Sequence, residues 1–362
     1  MSKSLKLSLF AALAVMVFTV PAQSARRDGL NGNVLIEDYN DAFTFPQRAG
    51  HALNINRVRF NHEGQDRSSA TIGVKNGDGG WAIGINALSQ PQDPTQERAT
   101  ATMLEAAYSG GAWGIGLSLG KGEFTQDGDG NTALNIGLVA GYTLKNVGEM
   151  ALALGIAQAE NGAGDAFNTM NVGVNLRGYK SLQPKVELGY TAAIQFQSDK
   201  TEPDGGDEVE NTLMNVELGA GPVYKVGKGI VALHGTVGFT QIKNGDDEAS
   251  LITIPGMNLA FETPLNDWVE FRAGAGYKFV MTTFSPDAGP EIKINHADAD
   301  VNQALAGVWA PTPTGAMGLS GLWGNLRIDA AVERDFLTNG PHLLTGTPTA
   351  QWASKISATY DW

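Results

Sequence analysis

The chain ends in the stretch Trp352-Ala-Ser-Lys-Ile-Ser-Ala-Thr-Tyr-Asp-Trp362, in which polarity alternates from residue to residue. One face carries the apolar and aromatic side chains: Trp352, Ser354, Ile356, Ala358, Tyr360 and Trp362. The other face carries Ala353, Lys355, Ser357, Thr359 and Asp361. Successive side chains of a β-strand point to opposite faces. The stretch therefore predicts a strand with one face in lipid and the other in water.

The same alternation recurs in segments from about Ala52 onward, separated by turn residues. In one segment Leu134, Ile136 and Leu138 alternate with Asn135 and Gly137. Short connections between segments alternate with longer, mostly acidic ones, as in barrels with short periplasmic turns and long outer loops. We therefore predict an all-β fold, a transmembrane antiparallel up-and-down β-barrel of about 16 strands. Losing the first hairpin, Ala52–Lys75, would leave about 14 strands.

The terminal strand resembles the C-terminal recognition strand of Gram-negative outer-membrane β-barrels of the porin-like class. The resemblance implies a multi-pass barrel in the cell outer membrane, surrounded by lipid and lipopolysaccharide. It also implies that the C-terminal strand contacts the barrel-assembly machinery.

The first residues are typical of a cleaved signal peptide that directs export by the general secretory route. Lys3 and Lys6 form a basic region before the apolar stretch Leu7–Val20, and small residues including Ala25 follow. The chain has no cysteine, which excludes a lipoprotein anchor, disulfides and thiolate metal sites. We divide the chain into a signal peptide (1–25), an N-terminal periplasmic or plug segment (26–51) and a transmembrane barrel (52–362).

The segment Arg26–Gly50 lacks strand alternation, so it either folds into the barrel mouth as a plug or hangs in the periplasm. Its candidate plug residues are Asp38, Asp41, Phe45 and Pro46. The run Asp38-Tyr-Asn-Asp-Ala-Phe-Thr-Phe-Pro-Gln47 resembles the pre-strand segment of the long-chain fatty-acid transporter superfamily, the FadL-like and PorV-like barrels. Asp41, Ala42 and Pro46 match that segment, whereas Phe45 and Gln47 replace its usual Asn and Ala. The resemblance implies transport of hydrophobic compounds; an ordered turn before the first strand is the alternative.

Six of the chain's seven tryptophans are predicted to lie at the periplasmic interface if the chain end is periplasmic. Trp and Tyr favour that depth because their rings are amphipathic. The predicted aromatic girdle consists of Trp81, Trp113, Trp268, Trp309, Trp323 and Trp362.

Inward-facing polar positions are the candidate lining of a lumen. They are Glu105, Asn135, Asn171, Asn175, Arg177, Glu187, Asn215, Glu217, His234, Glu270, Arg272, Lys278, Asn325, Arg327, Asp329, Glu333 and Lys355. These groups either border a water-filled path or pair with one another in a closed barrel. The net charge of -13, with no basic footprint, excludes nucleic acid as an expected partner.

Metal and catalytic motifs are weak. The run Asp127-Gly-Asp-Gly-Asn131 has calcium-loop-like spacing, but Thr132 and Leu138 stand where an EF-hand needs Gly and Glu. Acidic loops are better suited to loose binding of divalent cations. No motif places His with Ser or Asp partners. We therefore expect neither enzymatic activity nor a cofactor.

The sequence predicts an outer-membrane porin-like channel for passive or facilitated diffusion of small solutes. Two alternatives remain open: a FadL-like transporter of hydrophobic compounds, and a closed structural or adhesive surface barrel. Homo-oligomers and monomers are both compatible with the sequence.

Overall fold

A computed structural model describes residues 25–51, 56–63, 67–91, 98–126, 129–160, 166–202, 209–244, 247–285, 292–295, 314–333 and 355–362. Residues 1–24 of the predicted signal peptide, Trp309 and Trp352 lie outside these ranges, as does the start of the calcium-like run at Asp127.

Within these ranges, seventeen strands form one antiparallel sheet, and three short helices precede them. The helices are α1 (Ala25–Gly29), α2 (Asp41–Thr44) and α3 (Arg48–His51). In the described ranges, no helix has the length and apolar character needed to cross a membrane. The strands are β1 (Arg57–Glu63), β2 (Arg67–Asn76), β3 (Gly79–Pro91), β4 (Arg98–Ser109), β5 (Trp113–Gln126), β6 (Asp129–Leu144), β7 (Gly148–Glu160), β8 (Ala166–Gln183), β9 (Val186–Glu202), β10 (Val209–Val226), β11 (Gly229–Asn244), β12 (Asp247–Pro264), β13 (Val269–Ser285), β14 (Ile292–Asn295), β15 (Thr314–Trp323), β16 (Leu326–Glu333) and β17 (Lys355–Asp361).

The sheet closes because β1 pairs with β2 on one side and with β17 on the other. In the closing pair, Val58 lies opposite Tyr360 and Phe60 lies opposite Ala358. β13 pairs with β15 along its first half and with the short β14 near its end. The closed cylinder therefore has 16 strands, and β14 is an extra strand outside it. The predicted all-β barrel of about 16 strands is confirmed, and the fourteen-strand alternative is wrong because the first hairpin is present.

The outer face of the barrel is apolar and the inner face is polar or small. On β6, Leu134, Ile136 and Leu138 are exposed on the outside, whereas Asn135 between them is buried in the interior. A closed barrel satisfies all of its strand hydrogen bonds internally, and its exposed apolar band is suited to lipid.

The short turns collect at one end of the barrel, which is the periplasmic end in barrels of this class. Gly77 (φ +60°) and Gly324 (φ +59°) adopt the left-handed conformation that two-residue hairpin turns require. Asn325 was predicted to face the lumen, but it is the second residue of the β15–β16 turn and is exposed.

Five of the predicted girdle tryptophans lie at this end and are about half exposed: Trp81, Trp113, Trp268, Trp323 and Trp362. The ring of Tyr108 lies between two of them, with centroids 4.6 Å from Trp81 and 5.5 Å from Trp113.

The register predicts that an arginine destabilises the barrel much more on the outer face of β6 than on its inner face. Leu138→Arg should destabilise the barrel by about 2–4 kcal/mol, because Leu138 faces lipid near the middle of its strand. Asn135→Arg should cost much less, because Asn135 faces the lumen. Unfolding free energies measured in lipid vesicles would check this; equal losses at both positions would contradict the register.

Candidate functional site

Residues 25–51, here called the plug, lie inside the barrel. Leu30, Leu35 and Ile36 form an apolar cluster with inward-facing residues of β10, β11 and β12. A second cluster joins Ala42 and Ala49 of the plug to the wall of β3 and β4. The plug therefore has an apolar core of its own that the barrel wall completes.

Glycines in the wall allow the plug backbone to approach it closely. A Cβ at Gly114 would lie 2.2 Å from the backbone nitrogen of Gln47, and one at Gly274 would lie 2.5 Å from the carbonyl carbon of Leu30. Any larger side chain at these positions would displace the plug. The Ser109 hydroxyl also donates a hydrogen bond to the Gln47 carbonyl oxygen at 2.8 Å.

Asp41 is the first of two buried carboxylates that attach the plug to the wall. Its Oδ2 atom accepts a hydrogen bond from Nη1 of Arg177 on β8 at 2.7 Å, and its Oδ1 accepts one from Arg27 at 2.5 Å. Arg177 also pairs with Glu149 at 3.0 Å. Arg177 and Asp41 are only 2% and 3% exposed, so neither charge can rely on bulk water.

Asp38 is the second buried carboxylate. Its Oδ1 atom lies 3.2 Å from Nη1 of Arg59 on β1, and its Oδ2 lies 3.5 Å from Nη1 of Arg26. Arg59 also donates a hydrogen bond to the hydroxyl of Thr359 on β17 at 3.1 Å. Asp38 therefore ties the plug to the strand pair that closes the barrel.

Arg26 and Asp28 attach the plug to two further positions of the wall, on β12 and on β17. Arg26 makes a two-pronged hydrogen bond to Glu262 on β12, with both distances 2.9 Å. Glu262 also accepts a hydrogen bond from the fully buried Arg272 at 2.7 Å. Asp28 pairs with Lys355 on β17 at 2.6 Å.

The wall behind Arg26 carries its own ion-pair network. Arg272 lies 2.9 Å from Asp329, and Arg327 lies 2.9 Å from the same carboxylate and 2.7 Å from Glu270. These two arginines face three carboxylates, those of Glu262, Glu270 and Asp329, and Arg26 of the plug supplies the third positive charge.

The arginines hold both plug aspartates in their ionised form. Burial alone would raise the pKa of Asp38, but Arg59, Arg26 and Arg27 more than offset it and hold that pKa well below its usual value. Burial likewise opposes ionisation of Asp41, and Arg27 and Arg177 lower its pKa overall. Charged groups in a low-dielectric interior require such partners.

The predicted lumen residues fall into separate groups in the structure. Arg177 and Lys355 bind the plug directly, while Glu270, Arg272, Arg327 and Asp329 form the network behind it. Glu105, Asn135, Asn171, Asn175 and Asn215 border a cavity beside the plug. His234 is hydrogen-bonded to Thr191, Glu187 pairs with Lys225 near the periplasmic end, and Glu217 is half-buried. The side chains of Lys278 and Glu333 lie outside the described residues.

All four candidate plug residues are buried within the barrel. Besides Asp38 and Asp41, the ring of Phe45 lies 4.9 Å from the guanidinium of Arg177, and Pro46 is packed against the wall near Gly141.

Sequence reasoning missed Arg59, Glu149 and Glu262, which bind the plug or its partners. For Arg59 a signal existed, because Arg57, Arg59 and Asn61 alternate with Val58 and Phe60. No local signal identifies the plug carboxylate that each wall arginine binds.

The cavity beside the plug has a volume of about 340 Å³ and runs along the inner faces of β4 to β10. Phe43 and Thr44 of the plug border it, and its wall is mostly glycine, alanine and carboxamide residues. Pro46 and Gln47 lie against Gly114 and Gly141, near the periplasmic ends of β5 and β6. The plug thus separates this part of the cavity from the periplasmic end. Across the described ranges, no cluster of three His, Asp or Glu side chains is placed to hold a metal ion.

A closed barrel with an apolar outer band and a polar, plugged interior is typical of proteins that span bacterial outer membranes. The protein has the fold of a Gram-negative outer-membrane β-barrel.

No protein-family model matches the chain. No curated protein matches it significantly. Among solved structures, it is similar to CdiB from Acinetobacter baumannii, with 10% identity over 85% of this chain and 59% of that one (TM-score 0.44). It is also similar to the FrpB iron transporter from Neisseria meningitidis, with 11% identity over 80% and 62% of the two chains (TM-score 0.40). A bacterial polysaccharide outer membrane secretin shares 7% identity over 85% of this chain and 99% of that one (TM-score 0.44). The chain spans about three fifths of the first two structures.

Because the pKa values of Asp38 and Asp41 are lowered, the plug should stay attached to the wall in mild acid. Its attachment is at full strength above roughly pH 4, the ordinary pKa of aspartate, and weakens as the pH falls through the depressed values. Release of the plug from the wall, followed by the fluorescence of a dye attached to the plug, should therefore stay low from pH 7 to pH 5 and rise only under stronger acid.

The matched variant is Asp38→Asn/Asp41→Asn, which removes the negative charges at nearly constant shape. Removing one partner of a buried pair costs about 3–5 kcal/mol, so the released state of the plug should be at least about a hundredfold more populated in the variant at pH 7. Release of the wild-type plug between pH 7 and pH 5 would contradict this assignment.

Proposed function

We propose that this protein is an outer-membrane channel for passive passage of small solutes, with the plug as its gate. The observation that carries the proposal is the division of the inner wall. Many of its charged groups are engaged by the plug or by the wall's own ion pairs, whereas the carboxamides and glycines of β4 to β10 described above border an open cavity. Displacing the plug would join that cavity to the periplasmic end.

The attachment of the plug is consistent with a reversible gate. It uses charged pairs and small apolar clusters. Because the chain has no cysteine, no disulfide cross-links the plug to the wall. A closed structural barrel would need neither an inner segment with its own folded core nor a cavity beside it. The 340 Å³ cavity therefore favours passage over a purely structural role.

The lining of the cavity disfavours the hydrophobic-compound carrier. Binding sites for apolar ligands are lined mainly by aliphatic and aromatic side chains. Here Asn171, Asn175, Gln195 and Asn215 border the cavity, and Phe43 and Val139 are its larger inward-facing apolar side chains. A small polar solute matches these groups better than a fatty acid does.

Two changes test the gate in opposite directions. Deleting Arg26–Gly50 should raise the single-channel conductance in a planar bilayer from near zero to a steady open level. Leu35→Cys/Gly189→Cys should lock the plug, because a Cβ at Gly189 would lie 2.8 Å from Cδ2 of Leu35. The chain has no other cysteine to compete for the new disulfide.

The locked variant provides its own control. The oxidised form should stay closed below pH 4, and adding a reductant should restore the acid-induced current. The Leu35→Cys single variant should not respond to oxidant. If the deletion variant is folded but carries no current, the channel proposal is wrong and a closed structural barrel is favoured.

A further inference from the structure

We propose that the cavity beside the plug binds neutral, hydroxyl-rich solutes, namely sugars and polyols. The inference deepens the proposed function, because such solutes would then be the cargo of the channel.

Carboxamide side chains from neighbouring strands converge on the cavity. Asn135 comes from β6, Asn171 and Asn175 from β8, Gln195 from β9 and Asn215 from β10. In the β-ladders, Gln195 lies directly opposite Asn215 on one side and opposite Gly173 on the other. The small residues between the carboxamides leave space for a ligand.

Most of these carboxamides have unused hydrogen-bonding capacity. Among the described residues, the side chains of Asn135, Asn171, Asn175 and Gln195 have no hydrogen-bond partner. Oδ1 of Asn215 accepts a hydrogen bond from the Thr240 hydroxyl at 2.9 Å, which leaves its amide hydrogens for a ligand. A carboxamide both donates and accepts, so its natural complement is a hydroxyl group, which does the same.

The charge of the cavity favours a neutral ligand. Glu105 is the one ionisable side chain among the described residues that line it, and it accepts a hydrogen bond from Asn86 at 2.7 Å. With no cationic side chain in the lining, an anion would lack a partner for its charge. A carboxylate can, however, accept hydrogen bonds from two adjacent hydroxyls of a sugar.

Phe43 adds an apolar surface to the polar lining. Its ring lies against Gly84, with Cζ 3.1 Å from the position of an added Cβ, and it borders the cavity. The C–H face of a sugar ring can pack against such an aromatic ring while its hydroxyls reach the carboxamides. The volume of about 340 Å³ is at the lower end for small-molecule sites, which suits one or two sugar rings. Because Phe43 belongs to the plug, a bound sugar would contact the gate itself.

Binding can be tested by calorimetry on the full-length mature protein in detergent, with glucose, maltose and mannitol as probes. Glutamate and lysine provide the anionic and cationic comparisons. We expect measurable binding of at least one neutral probe and much weaker binding of both charged ones. No binding of any neutral probe, or equal binding of glutamate or lysine, would overturn the proposal.

Variants on the paired strands β8 and β9 test whether the carboxamides form the sugar-binding site. Asn171→Leu/Gln195→Leu removes two carboxamides and should weaken sugar binding about tenfold or more. Asn168→Leu is the matched control, because Asn168 lies on the same strand as Asn171 but three residues away, on the alternate, outer face. It should change binding less than about twofold. Equal losses in the two variants would contradict the site.

Failure of this inference is distinct from failure of the channel proposal. Calorimetry does not require passage, and the current of the plug-deletion variant does not require sugar. Swelling of liposomes that contain the plug-deletion variant, measured in maltose, tests both proposals together. Binding of maltose without swelling would show that the cavity binds sugar but does not lie on a path for its transport.

Discussion

A charge inside a closed barrel must have a partner, and the rest of this structure depends on that constraint. Asp38 and Asp41 can be buried because Arg59 and Arg177 project inward from strands on different sides of the cylinder. The same pairs neutralise arginines that would otherwise face an empty lumen. Plug and wall are therefore complementary: neither set of charges would be stable in this environment without the other.

This complementarity explains why the lumen is asymmetric. Many of the wall's charges hold the plug or belong to the network around Arg272. Where Asn135, Asn171 and Asn175 face the lumen, the plug does not fill the space and a cavity remains. Plug attachment and cavity thus share strands but use different positions along them: on β8, Arg177 holds the plug, whereas Asn171 and Asn175 border the cavity. Under the proposed function, a mutation at one set of positions would alter opening without altering the preference for solute.

The barrel could be predicted from the sequence because its signal is local. The alternation in Leu134–Tyr142 fixes which side chains meet lipid, and the structure keeps that register. The plug contacts could not be predicted, because Arg177 and Asp41 are 136 residues apart and Arg26 and Glu262 are 236 apart. Asn325 was misplaced for a related reason: a two-residue turn interrupts the alternation without changing the apolar residues around it. The cavity was also beyond reach, since it depends on where the plug ends.

Hydrogen–deuterium exchange of the protein in lipid nanodiscs shows whether these charge pairs keep the plug enclosed by the barrel. In the structure, backbone amides of the plug, including those of Ile36, Phe43 and Phe45, are hydrogen-bonded within a segment enclosed by the barrel. Peptides covering residues 33–47 should therefore exchange over minutes to hours. Exchange within seconds, as in a free periplasmic tail, would contradict the enclosure of the plug.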